Sequence, residues 1–302
     1  MRLIVSVLFL SLFALQACSE QKQPEKPAII VSMFQHKFLA ERIGGDDVIV
    51  RTVLSPGQSH GSFDPTPKQL VELSSASIYF VVGVEMERSI VARLKELNPA
   101  MKVVDLQAGI ELIPFGFDQS HEHSSECDHG HEPGQPDPHT WLDPLLFARQ
   151  GHNMAEGMAE LLPEKSGAFR SRAAELEKEL QALHDEIARE LAPLKGSQLF
   201  AYHAAYGYFA KRYGLKQVAI EAGGREPGAE YLARITQRAK EAKAGLVVVQ
   251  PQYSKAQAES VARSVGAGVV AMDHMSEHYF ESMREMAAAI RRHSSTKGEG
   301  VE

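Results

Sequence analysis

The sequence predicts an α/β protein of two lobes, each a mostly parallel sheet with flanking helices, joined by one long rigid helix. Three observations predict it. Short apolar, β-branched runs alternate with helical patterns in both halves of the chain, which implies parallel strands covered on both faces. One amphipathic stretch, residues 167–192, separates the first alternating pattern from the second. The chain has 302 residues, enough for two cores, and its 44% apolar and 24% charged content is ordinary for a globular protein.

The segment before the first strand is of another kind. MRLIVSVLFLSLFALQACSE places Arg2 ahead of an apolar run from Leu3 to Ala17, shorter than the ~20 residues of a spanning helix. It reads as a secretory signal over 1–17. LQAC resembles the lipobox of bacterial lipoproteins, in which cleavage before the Cys leaves it as the lipidated first residue. That implies lipidation of Cys18 and a lipidated tether over 18–27. Cys18 and Cys127 are the only cysteines, so a lipidated Cys18 leaves no intramolecular disulfide.

The N-terminal lobe is expected over 28–163. AIIVSMF, residues 28–34, is a buried-strand run, followed by a helical pattern that stops at Gly44 and Gly45. His36 opens that helix and reads as a surface or half-buried residue. VIVRTVL, residues 48–54, is a second strand, and the loop SPGQSHGSFDPTP after it delivers His60 before a helix that starts near Thr66. SIYFVVG and KVVDL are further strands, with a helix from about Glu85 to Leu97 between them.

Residues 118–136 form a His-rich loop inside this lobe. HEHSSECDHGH holds His121, His123, Cys127, His129 and His131 among carboxylates, a set that suits a soft divalent cation. The following PDPHTWLDP carries one histidine, His139, on a backbone stiffened by Pro136 and Pro138. A rigid mount is what a defined ligand needs.

The linking helix is expected over 164–194. Leu176, Leu180, Leu183, Ile187 and Leu191 make one apolar stripe, and Pro193 and Gly196 end it. At ~1.5 Å per residue the amphipathic stretch 167–192 is ~39 Å long, the size of a lobe. His184 lies off the stripe and reads as solvated.

The C-terminal lobe is expected over 195–293, with strands QLFAYH, QVAIE, GLVVVQPQ and GAGVVAMD and helices near 204–213, 228–243, 255–265 and 276–292. A disordered tail follows over 294–302. QLFAYH finishes on His203 and GAGVVAMD on Asp273. Ligands bind beyond the carboxyl ends of strands in open parallel sheets, so His60, His139, His203 and Asp273 stand where such a fold places its site. Three imidazoles and one carboxylate fill a tetrahedral zinc sphere. Gln250 is not taken as a ligand, and His274 and His278 read as surface residues opening the last helix.

SHGSFDPTP, DPHTWLDP, YHAAYGYFAKRYGL and AGGREPGAEYLARITQRAKEAKAGLVVVQPQYS resemble, over about residues 28–292, the metal-binding lipoproteins of bacterial ABC importers, the zinc/manganese cluster of solute-binding proteins. The resemblance implies two lobes joined by one helix with the metal between them, His60, His139 and His203 as ligands, and Asp273 as the fourth. It implies partners, an ABC permease and its ATPase, and an anchored, monomeric chain on the periplasmic or cell-envelope face. It also implies a flexible His-rich loop in zinc members. Manganese members place a carboxylate where this chain has His203, and imidazole suits zinc, so Zn2+ is favoured over manganese or iron.

Other classes fare worse. A net charge of −7 and the lack of a basic stripe argue against nucleic acid. A zinc-dependent hydrolase would keep an open coordination position, and neither HExxH nor the spacing of an HxHxDH motif is present. A cell-adhesion role, known among surface lipoproteins of this cluster, would need an exposed apolar or aromatic patch.

Overall fold

The structure is a computed structural model that describes residues 26–61, 63–116, 135–221, 227–253 and 255–295. The expected signal, Cys18 with most of its tether, His121, His123, Cys127, His129 and His131, and most of the tail lie outside the described residues.

The first sheet is built from β1 (Ala28–Val31), β2 (Ile49–Thr52), β3 (Ile78–Val81) and β4 (Lys102–Asp105), in the order β2-β1-β3-β4. Every pairing is parallel. Its crossovers include α1 (Phe34–Gly44), α2 (Pro67–Leu73) and α3 (Glu85–Leu97). The ends of these helices follow from the residues there. Gly45 takes φ 54° past α1, a conformation in which a Cβ is strained. Thr66 and Gln69 exchange side-chain and backbone bonds as a capping box before α2, with Pro67 at its first position.

Two helices then run side by side: α4 (Pro144–Leu161), capped by the Asp143 carboxylate on Leu145 N, and α5 (Ser166–Leu191). The apolar stripe of α5 is wholly buried: Leu176, Leu180, Leu183, Ile187 and Leu191, joined by Phe169 and Ala173. Truncating one such leucine to Ala costs about 2–5 kcal/mol. Arg172 on α5 donates to the carbonyls of Ile43 and Gly44 at 3.1 and 3.0 Å, satisfying the last turn of α1.

The second sheet repeats the first: β5 (Gln198–Ala201), β6 (Lys216–Ala219), β7 (Leu246–Val249) and β8 (Gly268–Ala271), in the order β6-β5-β7-β8, all parallel. Its helices are α6 (Gly207–Tyr213), α7 (Ala229–Glu241), α8 (Lys255–Val265) and α9 (Tyr279–Ser295). One hydrophobic cluster takes in β1, β3, α4, α5 and α9 together with Leu199, Ala201 and Val248 of the second sheet. A smaller cluster fills the space between that sheet and α7 and α8. No helix among the described residues is long and apolar enough to cross a membrane.

In each sheet the strand order reverses beside the first strand, between β1 and β3 and between β5 and β7. That point opens a crevice at the carboxyl ends.

Candidate metal centre

His60 arrives on the connection from β2 to α2, and His139 on the segment before α4. His203 follows β5 by two residues, and His274 follows β8 by three. All four are buried, and one nitrogen from each lies within 4.8 Å of the other three, an arrangement that could hold a metal ion. The six distances between ring centroids span only 5.1–5.9 Å, so the rings sit near the corners of a regular tetrahedron. Nε2 of His139 is 3.4 Å from Nε2 of His60 and 3.3 Å from that of His203. Four nitrogens held tetrahedrally at zinc bond lengths would be separated by about 3.3–3.4 Å.

Asp273 is outside this group, contrary to the expectation that it supplies the fourth ligand. Its Oδ1 accepts from Met275 N and from Gln252 Nε2, both at 3.0 Å, so the carboxylate shapes the turn after β8. With Asp273 turned into its own loop, His274 faces the cluster. Reading His274 as a surface residue was therefore wrong, whereas His278 is exposed as expected. Gln250 is buried but brackets the His203 backbone, accepting from its N–H at 3.2 Å and donating to its carbonyl at 3.1 Å.

Two carboxylates that sequence reasoning passed over complete the arrangement. Asp137 Oδ1 lies 2.7 Å from Nδ1 of His139 and also accepts the His139 backbone N–H. Glu221 Oε1 lies 2.5 Å from Nδ1 of His203. A carboxylate on one imidazole nitrogen fixes ring and tautomer, leaving the other nitrogen for a cation. Asp137 had a local signal, the Asp two places before His in PDPH. Glu221 had none within its own segment: it faces His203 because β5 and β6 pair Ala201 with Ala219, and each of the two residues lies two positions beyond its paired strand end.

Burial sets the electrostatics. It lowers His60 to about 3, with repulsion from His203 adding to it, and holds His274 well below the ordinary imidazole range. Desolvation pushes the Asp137 carboxyl up, opposed by the N–H of His139. Neutral imidazoles at His60 and His274 are the form that binds a cation.

The walls are aromatic. Tyr253 stacks on His203 with centroids 4.9 Å apart, Phe115 sits 6.0 Å from His139, and Trp141 sits 5.0 Å from it. Beneath the His139 segment runs a polar chain. His36 Nε2 donates to Gln150 Oε1 at 3.1 Å, Gln150 Nε2 donates to the Thr140 hydroxyl at 2.7 Å, and Gln107 bonds both that hydroxyl and the Pro138 carbonyl. His36 is thus fully buried, not a surface or half-buried residue, because its partner comes from a helix 114 positions away. His184, read as solvated, is half-buried against Tyr213 and remote from the cluster.

The halves are tied across the site. Tyr208 accepts from Ile113 N at 3.0 Å and donates to the Asp137 carbonyl at 2.9 Å, while Arg212 pairs with Asp143 at 2.7 Å.

Proteins similar to this chain are named for zinc. The zinc-binding lipoprotein AdcA of Streptococcus pneumoniae is 27% identical over 316 residues, which cover 99% of this chain and 62% of that protein. The chain thus spans less than two thirds of that relative's length. The crystal structure of ZnuA superposes with a TM-score of 0.81 at 31% identity, over 90% of this chain and 100% of that one. A ZnuA deletion mutant with zinc bound gives 0.79 at 30% identity, over 88% and 97%. The family described as zinc-uptake complex component A, periplasmic, matches residues 29–293. Matched over nearly its whole length, the chain belongs to that family.

Proposed function

We propose that this chain is the extracytoplasmic zinc-binding component of an ABC-type metal importer. It captures Zn2+ between lobes of residues 28–163 and 195–293, joined by the helix of 164–194, and delivers it to a membrane permease driven by an ATPase. His60, His139, His203 and His274 are the ligands. The observation that carries this reading is the tetrahedron of buried imidazoles, in which Nε2 of His139 stands 3.4 Å from that of His60 and 3.3 Å from that of His203.

Four protein ligands leave no position for an attacking water, which favours carriage over hydrolysis. An all-imidazole sphere favours zinc over manganese, which prefers oxygen donors. Lipidation at Cys18, supported by the lipoprotein name of the AdcA relative, and a monomeric state complete the reading.

Metal analysis and calorimetric titration of the purified mature chain test it. One tightly bound zinc per chain, lost in His203→Ala and in His274→Ala, is expected. Absence of stoichiometric zinc, or full affinity in either variant, would overturn it.

A further inference from the structure

The four imidazoles are not held alike. His139 and His203 each have Nδ1 engaged by a carboxylate. His274 has neither ring nitrogen hydrogen-bonded among the described residues, although both are buried. A ligating imidazole is ordinarily oriented by a bond at its second nitrogen. Another contact must set this ring.

That contact is Trp141. Its indole N–H donates to the carbonyl oxygen of His274 at 2.8 Å. Its ring lies 24° from the plane of the His274 imidazole, with centroids 6.5 Å apart. The indole is itself held from elsewhere: Trp141 is fully buried, its carbonyl accepts the Tyr279 hydroxyl at 2.7 Å, and His36 packs on it edge-on at 5.6 Å. The rest of the turn is fixed by other groups. Asp273 Oδ1 takes Met275 N, and the Ser282 hydroxyl takes the Asp273 carbonyl at 3.0 Å. The carbonyl of His274 is left to the indole.

We infer that Trp141 is the positioning residue for His274. It donates no electron pair to the cation, yet it fixes the backbone and ring of a ligand 133 positions away on the opposite lobe. A tryptophan beside the ligands of the first lobe thereby completes the set contributed by the second. The inference rests on reading His274 as a zinc ligand.

Zinc affinity, measured by competition with a chromophoric chelator, tests it in five variants: Trp141→Phe, His274→Ala, His60→Ala and the two doubles that add Trp141→Phe to each histidine variant. Losing one buried hydrogen bond should weaken Trp141→Phe about tenfold. The same substitution should add nothing in the His274→Ala background and keep its effect in the His60→Ala background. The visible spectrum of Co2+-loaded Trp141→Phe should resemble that of His274→Ala, a change that loss of packing alone would not produce. Trp141 is the sole tryptophan, so global replacement by its benzothiophene analogue removes the N–H while keeping the ring shape, should Trp141→Phe fold poorly. The analogue should reproduce the tenfold loss. Wild-type affinity in Trp141→Phe or in the analogue, or an undiminished effect in the His274→Ala background, would overturn the assignment of Trp141 and leave the zinc site standing. Wild-type affinity in His274→Ala would overturn both.

Discussion

Glu221 Oε1 takes the Nδ1–H of His203 at 2.5 Å, and Nε2 of the same ring faces His139 at 3.3 Å. One side of the imidazole is thereby committed to an acid and the other to the cluster. Replacing Glu221 with Gln keeps the shape and removes the charge. Such a change in a ligand's orienting carboxylate weakens metal binding by about 10–100-fold. Glu221→Gln is expected to fall in that range by chelator competition, while the melting temperature without metal changes little.

His274 and Asp273 are neighbours with opposite tasks, and thermal melts with and without zinc should separate them. Binding to the folded state alone stabilises it by about 4 kcal/mol when free zinc is a thousandfold above Kd. His274→Ala should lose most of that zinc-dependent shift. Asp273→Ala frees the turn and should lower the melting temperature without metal, yet keep a zinc-dependent shift. Equal loss of the shift in both variants would return Asp273 to the ligand set.

Proton release on loading follows from burial. Four free imidazoles near pKa ~6.5 would shed about three protons to a cation at pH 6. His60 at about 3 and His274 well below its ordinary range are already neutral there. Zinc titrations at pH 6 in buffers of different ionisation enthalpy should therefore report no more than about two protons displaced. A count of three or more would show that the imidazoles are hydrated before the metal enters.

His36 makes folding stability itself depend on pH. Burial lowers it to about 4, with the Gln150 bond opposing. Between its unfolded value of ~6.5 and 4 the unfolded chain binds the extra proton and the folded one does not. Its contribution is thus full above pH ~6.5 and falls as acid is added, by about 3 kcal/mol once pH reaches the folded value. His36→Gln retains a donor for Gln150, and urea unfolding of the metal-free protein at pH 7, 5 and 4 should show a shallower fall than wild type.

The sheets and the long helix were legible because their signals are local. Runs such as AIIV, IYFV and LVVV are buried strands by composition, and the stripe from Leu176 to Leu191 declares its inward face by spacing alone. His60, His139 and His203 were legible through motif context. His274 was not: beyond the end of β8, Asp273 and His274 are equally placed, and only the turn that Asp273 makes with Met275 decides which of them faces the cluster. Glu221 and the burial of His36 depend on strand register and on a helix far along the chain. Such pairings leave no local trace.

The apolar cluster that passes from β1 through α4 and α5 to α9 and the inner strands of the second sheet has a thermodynamic consequence. Neither half owns a private interior large enough to survive the other's collapse. Heating should therefore dissolve the folded body in a single calorimetric event, and the small pocket of oil behind α7 and α8 should vanish within that same peak.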